Sequence, residues 1–251
     1  RTLQVLHESP YYVPVRCEHF SDCGGCSFQN LDYNNQISAK EMQVKDVFQR
    51  IGNFKDIECA PIIKSDEIYN YRNKMEFTFS SNEYVPESEK GRIPIEFAMG
   101  LHAMGRWDKI LSINECHIQA PIANEILTEI KKLTTELKPY NMREHTGFLR
   151  NVIIKVGTNT KEVMVNFVTS QEDKKALQPI IEELIIKFPS IVSIVNNITT
   201  RKAGVSIGEH QVVLHGNEFI IEKLGEYEFM ISADSFFQTN THQAEKLYNI
   251  V

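Results

Sequence analysis

The stretch Cys17-Glu-His-Phe-Ser-Asp-Cys23-Gly-Gly-Cys26 decides most of what this chain can be. Three cysteines on one short loop are too close-set to be explained by packing. Thiolates gathered in this way make a site for a soft metal. Gly24 and Gly25 matter physically: without a Cβ the backbone wraps tightly, and its N–H groups can approach bridging sulfides. A fourth cysteine, Cys116, lies far downstream in Asn114-Glu-Cys-His. Four cysteines point to an iron–sulfur cluster, with tetrahedral zinc as the alternative. His19 could be a ligand, but it reads more simply as a packed or solvated loop residue. Cys59, in Ile57-Glu-Cys-Ala-Pro, reads as a small buried apolar residue on a strand.

The rest of the composition sets the context. The 251 residues suffice for one large domain or two ordinary ones, and 42% apolar with 24% charged residues is a globular balance. No run approaches the ~18 apolar residues of a membrane helix, and no apolar core follows Arg1 as in a signal peptide. Five cysteines without a secretion signal favour metal ligands in a reducing, cytoplasmic setting over disulfides. The net charge of −6 argues against a protein that coats nucleic acid, but it leaves room for a local basic groove.

Patterning predicts an α+β fold. Helices are expected over 33–51, 119–136, 173–188 and from 239 to the end, with Pro179 a possible start for the third. Alternation predicts strands over 71–80, 95–103, 107–113, 148–156, 162–169, 190–198, 211–215, 218–223 and 227–232. The polar stretch 82–94 reads as a hairpin loop. Gly204-Val-Ser-Ile-Gly208 reads as a turn, and no nucleotide-binding glycine loop is visible.

Read together, the motifs resemble a known family. The cysteine loop is followed by Gln29, Tyr33, Gln36 and Lys40, then by Tyr71-Arg-Asn-Lys74, Gly100-Leu-His102 and Asn114-Glu-Cys116. Leu149-Arg-Asn-Val152 and Ser235-Phe-Phe-Gln-Thr-Asn240 come later. This order resembles the RNA uracil-5-methyltransferases, and within them the iron–sulfur enzymes that methylate 23S ribosomal RNA. Gly100-Leu-His102 departs from the family's usual Gly-Phe-His, and His102 is read as structural. The resemblance implies a central mixed α/β domain carrying a 4Fe-4S loop, followed by the beginning of a Rossmann-like methyltransferase domain. Residues 1–9 would be the tail of an RNA-binding β-barrel or a linker. Residues 10–28 and 67–234 would form the central domain. Residues 29–66 and 235–251 would pack with the methyltransferase domain. The implied cofactors are the cluster, held by Cys17, Cys23, Cys26 and Cys116, and S-adenosylmethionine. The implied partner is 23S ribosomal RNA, bound by a monomer without a membrane.

The family's chemistry is thiolate attack on uracil C6, methyl transfer to C5, and loss of the C5 proton. Its nucleophile, base and donor-binding glycine loop are expected beyond residue 251, so the chain reads as the front of such an enzyme, inactive alone. A non-catalytic iron–sulfur or zinc module that binds RNA is the alternative. Arg72 and Lys74 are expected to share a strand face and, with Arg150, Arg201 and Lys202, to meet RNA phosphates; a solvated charged face is the plainer reading. Phe236 is expected to stack on an extruded uracil or else to be core. Gln238 is expected to bind the methyl donor, its amide both donating and accepting.

Overall fold

The structure, a computed structural model, describes residues 4–202 and 206–251. Residues 1–3, part of the expected barrel tail, and Gly204 and Val205 of the expected turn lie outside the described residues; residues 4–9 form no strand.

Strand alternation is realised directly. In β1 (Lys74–Ser80), Met75, Phe77 and Phe79 are buried, while Lys74, Glu76 and Thr78 alternate with them on the other face. The following strands are β2 (Ala98–His102), β3 (Ile110–Ser112), β4 (Leu149–Val156), β5 (Val163–Thr169), β6 (Ile191–Ile198) and β7 (His210–Gly216). Together they form one seven-stranded sheet in the order β3-β2-β1-β4-β5-β6-β7. Only β5 and β6 are parallel. Between them α3 (Lys174–Lys187) supplies the crossover that a parallel pair requires. A separate hairpin, β8 (Phe219–Leu224) with β9 (Tyr227–Ser232), completes the β-structure.

One face of the sheet is covered by helices. α2 (Pro121–Leu133) begins with proline at its first turn, where the missing N–H costs nothing. It buries Ala123, Ile126, Leu127 and Ile130, and α3 buries Leu177, Ile180, Ile181 and Leu184, against Phe77, Val152 and Phe167. Each such side chain contributes about 1.5–3 kcal/mol when fully buried. On the opposite face Ile220, Ile231 and Ala233 pack on Met164 and Val195. With both faces covered, β5 is buried along its whole length, which explains its near-continuous apolar run.

Three readings are corrected. α3 starts at Lys174, capped by the Asp173 carboxylate, and runs through Pro179 on its exposed side. The expected helix 33–51 divides into α1 (Tyr33–Asp46) and a π-helical turn over Val47–Ile51. Of its apolar residues only Ile37 is buried; Ile51 faces outward, and the exposed Phe48 meets the Phe54 ring edge-on at 5.9 Å. Cys59 is half-buried in a segment without ladder partners, not on a strand. That segment lies against the last helix, α4 (Thr241–Tyr248). Gln243 Nε2 donates to the Ile63 carbonyl at 3.0 Å, and Lys246 pairs with Asp66 at 2.6 Å. Segments 29–66 and 235–251 thus touch each other, although they are far apart in sequence.

Candidate functional site

The cysteine loop folds back onto the end of β2. Gly24 N–H donates to the His102 carbonyl at 3.0 Å, and an added Cβ would stand 3.0 Å from that same oxygen. Gly25 N–H donates to Cys23 Sγ at 3.3 Å. A Cβ at Gly25 would meet that sulfur at 3.3 Å. The glycines are therefore needed for close approach, to backbone in one case and to sulfur in the other.

Cys17, Cys23, Cys26 and Cys116 all line one cavity of about 200 Å³, while Cys59 is elsewhere. Burial pushes the Cys23 thiol up to about 11, against a smaller lowering by the Gly25 N–H; the neighbouring Cys26, Cys116 and Cys17 push it further up. Burial likewise raises Cys17 and Cys116. Thiols held up in this way stay neutral and are poor nucleophiles. Among the described residues, no three His, Cys, Asp or Glu side chains are set to hold a single metal ion. A tetrahedral zinc would need four ligands within about 2.3 Å of one point.

The structure also assigns supports that the sequence pattern did not show. Asn124 of α2 brackets Cys116: its Oδ1 accepts from Cys116 N–H at 2.8 Å, and its Nδ2 donates to the Cys116 carbonyl at 3.2 Å. His19 is buried, and its Nε2 accepts from Asn114 N–H at 3.1 Å, with Glu18 Oε1 3.3 Å away. Burial holds its pKa below the usual value, so this nitrogen is engaged as a neutral acceptor rather than offered as a ligand.

A second feature is the loop after β9. Lys155 of β4 is buried, and its Nζ donates to the carbonyls of Ser232 at 2.6 Å and Ser235 at 3.1 Å. Asn197 of β6 donates to Asp234 Oδ1 at 2.8 Å. Asn73 donates from its side chain to the Gln238 carbonyl and from its backbone to the Thr239 carbonyl, both at 2.9 Å. Two sheet residues, Lys155 and Asn197, and Asn73 just before β1 thus pin the loop. Phe236 at its crown is 82% exposed, so the core reading of this residue is excluded. Phe237 is half-buried and packs against Phe229 and the hairpin core. Gln238 is half-buried on the wall of another cavity, with Pro61, Ile63 and Asn240; its backbone carbonyl is engaged by Asn73, and among the described residues no hydrogen bond holds its side-chain amide.

Burial lowers the Lys155 pKa from its ordinary 10.5 to about 8, with the facing Lys74 adding to the effect and Asp234 opposing it. The unfolded chain therefore binds this proton more tightly, and folding stability rises as pH climbs from about 8 to 10.5. The gain is at most about 3 kcal/mol. Denaturant unfolding across this window should show a steeper rise for the unaltered protein than for Lys155→Met; coincident slopes would contradict the assignment.

The expected RNA-facing cations are placed differently from one another. Lys74 heads β1, opposite Lys155. Arg72 lies before the strand, bridged to Gln119, and its Nε donates to the Lys74 carbonyl at 3.0 Å. It lines the cysteine cavity rather than sharing a strand face with Lys74. Arg150 must be corrected: it is buried, its guanidinium lies 4.2 Å over the Tyr140 ring, and it donates to the Thr199 and Arg201 carbonyls. The ladder slips at this residue, between Leu149 and Asn151, and both Leu149 and Arg150 are buried. Arg201 and Lys202 are exposed, Arg201 3.7 Å from Glu209.

No family model matches the chain. It is 37% identical to an uncharacterized RNA methyltransferase of Chlorobaculum tepidum, over 99% of this chain and 53% of that protein. An uncharacterized RNA methyltransferase of Bacillus cereus is 34% identical over 99% of this chain and 52% of its own length. One of Porphyromonas gingivalis is 35% identical, with 100% and 56% covered. The chain spans about half the length of the curated relatives it matches. Among solved structures it resembles Pyrococcus abyssi tRNA (uracil-54, C5)-methyltransferase in complex with S-adenosyl-L-homocysteine. The TM-score is 0.70 and the identity 27%, over 98% of this chain and 52% of that one. In sequence and fold, then, the chain is similar to RNA methyltransferases. No helix among the described residues is long and apolar enough to cross a membrane.

Proposed function

We propose that this chain forms the RNA-handling and metal-holding part of an S-adenosylmethionine-dependent RNA uracil-C5 methyltransferase, with 23S ribosomal RNA as substrate. The observation that carries this reading is Phe236: a large aromatic ring, almost fully exposed, on a loop pinned at three places. An exposed ring on a rigid mount is suited to stack against an extruded base. Transfer-RNA is the second reading for the substrate, favoured by the likeness to the tRNA enzyme.

Each residue has a stated task in this reading. Phe236 offers its face to the uracil. Gln238, two residues on and with a free amide, would hold the methyl donor. When bound, S-adenosylmethionine supplies the methyl group. Cys17, Cys23, Cys26 and Cys116 would hold a 4Fe-4S cluster, whose four thiolate bonds would join the loop to the segment that follows β3. Their shared cavity supports a common all-thiolate site. Val44, Phe48 and Ile51 are exposed apolar residues, which we assign to the contact with a Rossmann-like methyltransferase domain.

Phosphate contact falls to Lys74 and Arg72, not to the buried Arg150. With a net charge of −6 binding must be local. In filter binding of an rRNA fragment to the protein that carries this chain, Lys74→Ala or Arg72→Ala should weaken binding. Each should reduce the salt slope by about one unit or less, the mark of one lost phosphate contact. Unchanged affinity and slope in both variants would remove these residues from the interface.

A further inference from the structure

A cavity of about 550 Å³ is not accounted for by any of these roles. It lies beside the cysteine cavity, and Gly25, Cys26, Gln29, Arg72 and Ile118 line both. Its far wall is made by α1 and by the Ser65–Tyr71 segment, and Asn240 of the pinned loop reaches its rim.

The chemistry of the walls is selective. Tyr71 and Phe28 present aromatic rings, and Phe28 is 56% exposed, without the burial that would make it core. Gln29 Oε1 is buried and has no hydrogen-bond partner. A buried carbonyl without a donor is costly, so a ligand that brings an N–H gains once the Gln29 side chain turns toward it. Lys40 and Arg72 both border the cavity, and among the described residues neither is paired with a carboxylate. Two carboxylates also line the cavity, Asp32, which caps α1 through Asn35, and the exposed Glu67, and among the described residues neither forms an ion pair with Lys40 or Arg72. Aromatic faces, one orphaned acceptor and two unpaired cations on a chain of net charge −6 together match a single nucleotide: a flat ring, an N–H edge and a phosphate.

We propose that this cavity is a second nucleotide site, which takes one unstacked nucleotide of the RNA substrate, distinct from the base that meets Phe236. The base lies against Tyr71 and Phe28, its N–H edge on Gln29 Oε1, its phosphate between Lys40 and Arg72. The inference rests on the RNA-binding reading and extends it: two nucleotides held apart would fix the register of the strand. It also ties RNA recognition to the cysteine centre, because Gln29 and Arg72 belong to both walls.

The test uses a labelled single-stranded RNA pentamer and the protein that carries this chain, with fluorescence anisotropy over a range of salt. Gln29→Leu keeps the volume and removes the acceptor. It should weaken binding about tenfold with an unchanged salt slope. Lys40→Ala, at an exposed helix position, should weaken binding severalfold and lower the slope by about one unit. Both should melt at the temperature of the unaltered protein. Normal binding by both folded variants would overturn the second site. If both weaken binding while Phe236→Ala does not, the second site stands and the role of Phe236 falls. If the unaltered protein binds no RNA at all, both readings fail together.

Discussion

Anaerobic reconstitution of the protein that carries this chain with iron and sulfide should give a brown product with broad visible absorption, and Cys116→Ser should abolish it. The reasoning is geometric. Cys17, Cys23 and Cys26 sit on one loop, and Cys116 closes the same cavity from a segment ninety residues away in sequence. A bound metal would hold these buried thiols as thiolates, so losing one ligand leaves the site incomplete. Serine is isosteric, and it leaves the Asn124 bracket on the Cys116 backbone in place. The fold should therefore survive while the metal is lost. Cys59→Ser should retain the whole absorption, because Cys59 is not part of that cavity. Stoichiometric zinc with neither iron nor sulfide would contradict the cluster, and loss of iron in Cys59→Ser would contradict the ligand set.

The meeting of Cys17, Cys23, Cys26 and Cys116 on one cavity was legible in the sequence, because close-set thiols and glycines on one loop state a geometry of their own. Three close thiols and two glycines demand a tight wrap, and the wrap is found. The strands were legible for a similar reason: Met75, Phe77 and Phe79 alternate because only one face of β1 enters the core. The supports were not legible. Lys155, Asn197 and Asn73 act through hydrogen bonds to a loop distant in sequence, and Asn124 through bonds to Cys116 eight residues before it; a lysine or asparagine looks the same in sequence whether it holds a loop or faces water. Glu222 is a further case: fully buried in β8, it accepts from the N–H groups of Thr158 and Asn159 and from Thr241, fastening the hairpin to α4. Arg150 was misread because a charge at the start of a strand normally lies at the surface. The ladder slip between Leu149 and Asn151 leaves it buried instead, where carbonyls and the Tyr140 ring replace water. The exposed residues of α1 show the opposite limit. Helical spacing identified an apolar face, but spacing cannot say whether the covering surface lies within the same chain.

Phe236→Ala should have the largest effect on RNA handling of any single change outside the cysteine centre. Removing the stacking face should cost about 1–3 kcal/mol in binding, roughly 5- to 150-fold, with little change in salt dependence because no phosphate contact is lost. The same change should leave the melting temperature nearly unaltered. A buried phenylalanine would cost about 3–5 kcal/mol of stability on truncation. At 82% exposed, Phe236 has no such packing to lose. Phe237→Ala should show the reverse pattern, since Phe237 packs against Phe229 and the hairpin core. A Phe236→Ala protein that melts early but binds RNA normally once folded would refute the stacking role.

The central claim is that this chain serves the methylation of uracil in RNA. The most direct measurement incubates the protein that carries it with S-adenosylmethionine and unmodified 23S ribosomal RNA or transfer-RNA, and maps the methylated nucleoside by mass spectrometry. The account predicts 5-methyluridine at a defined position in ribosomal RNA, reduced in Phe236→Ala. The same product in transfer-RNA alone would move the substrate to the second reading. A methyl group on any base other than uracil, or none in either RNA with the metal centre filled, would contradict the account.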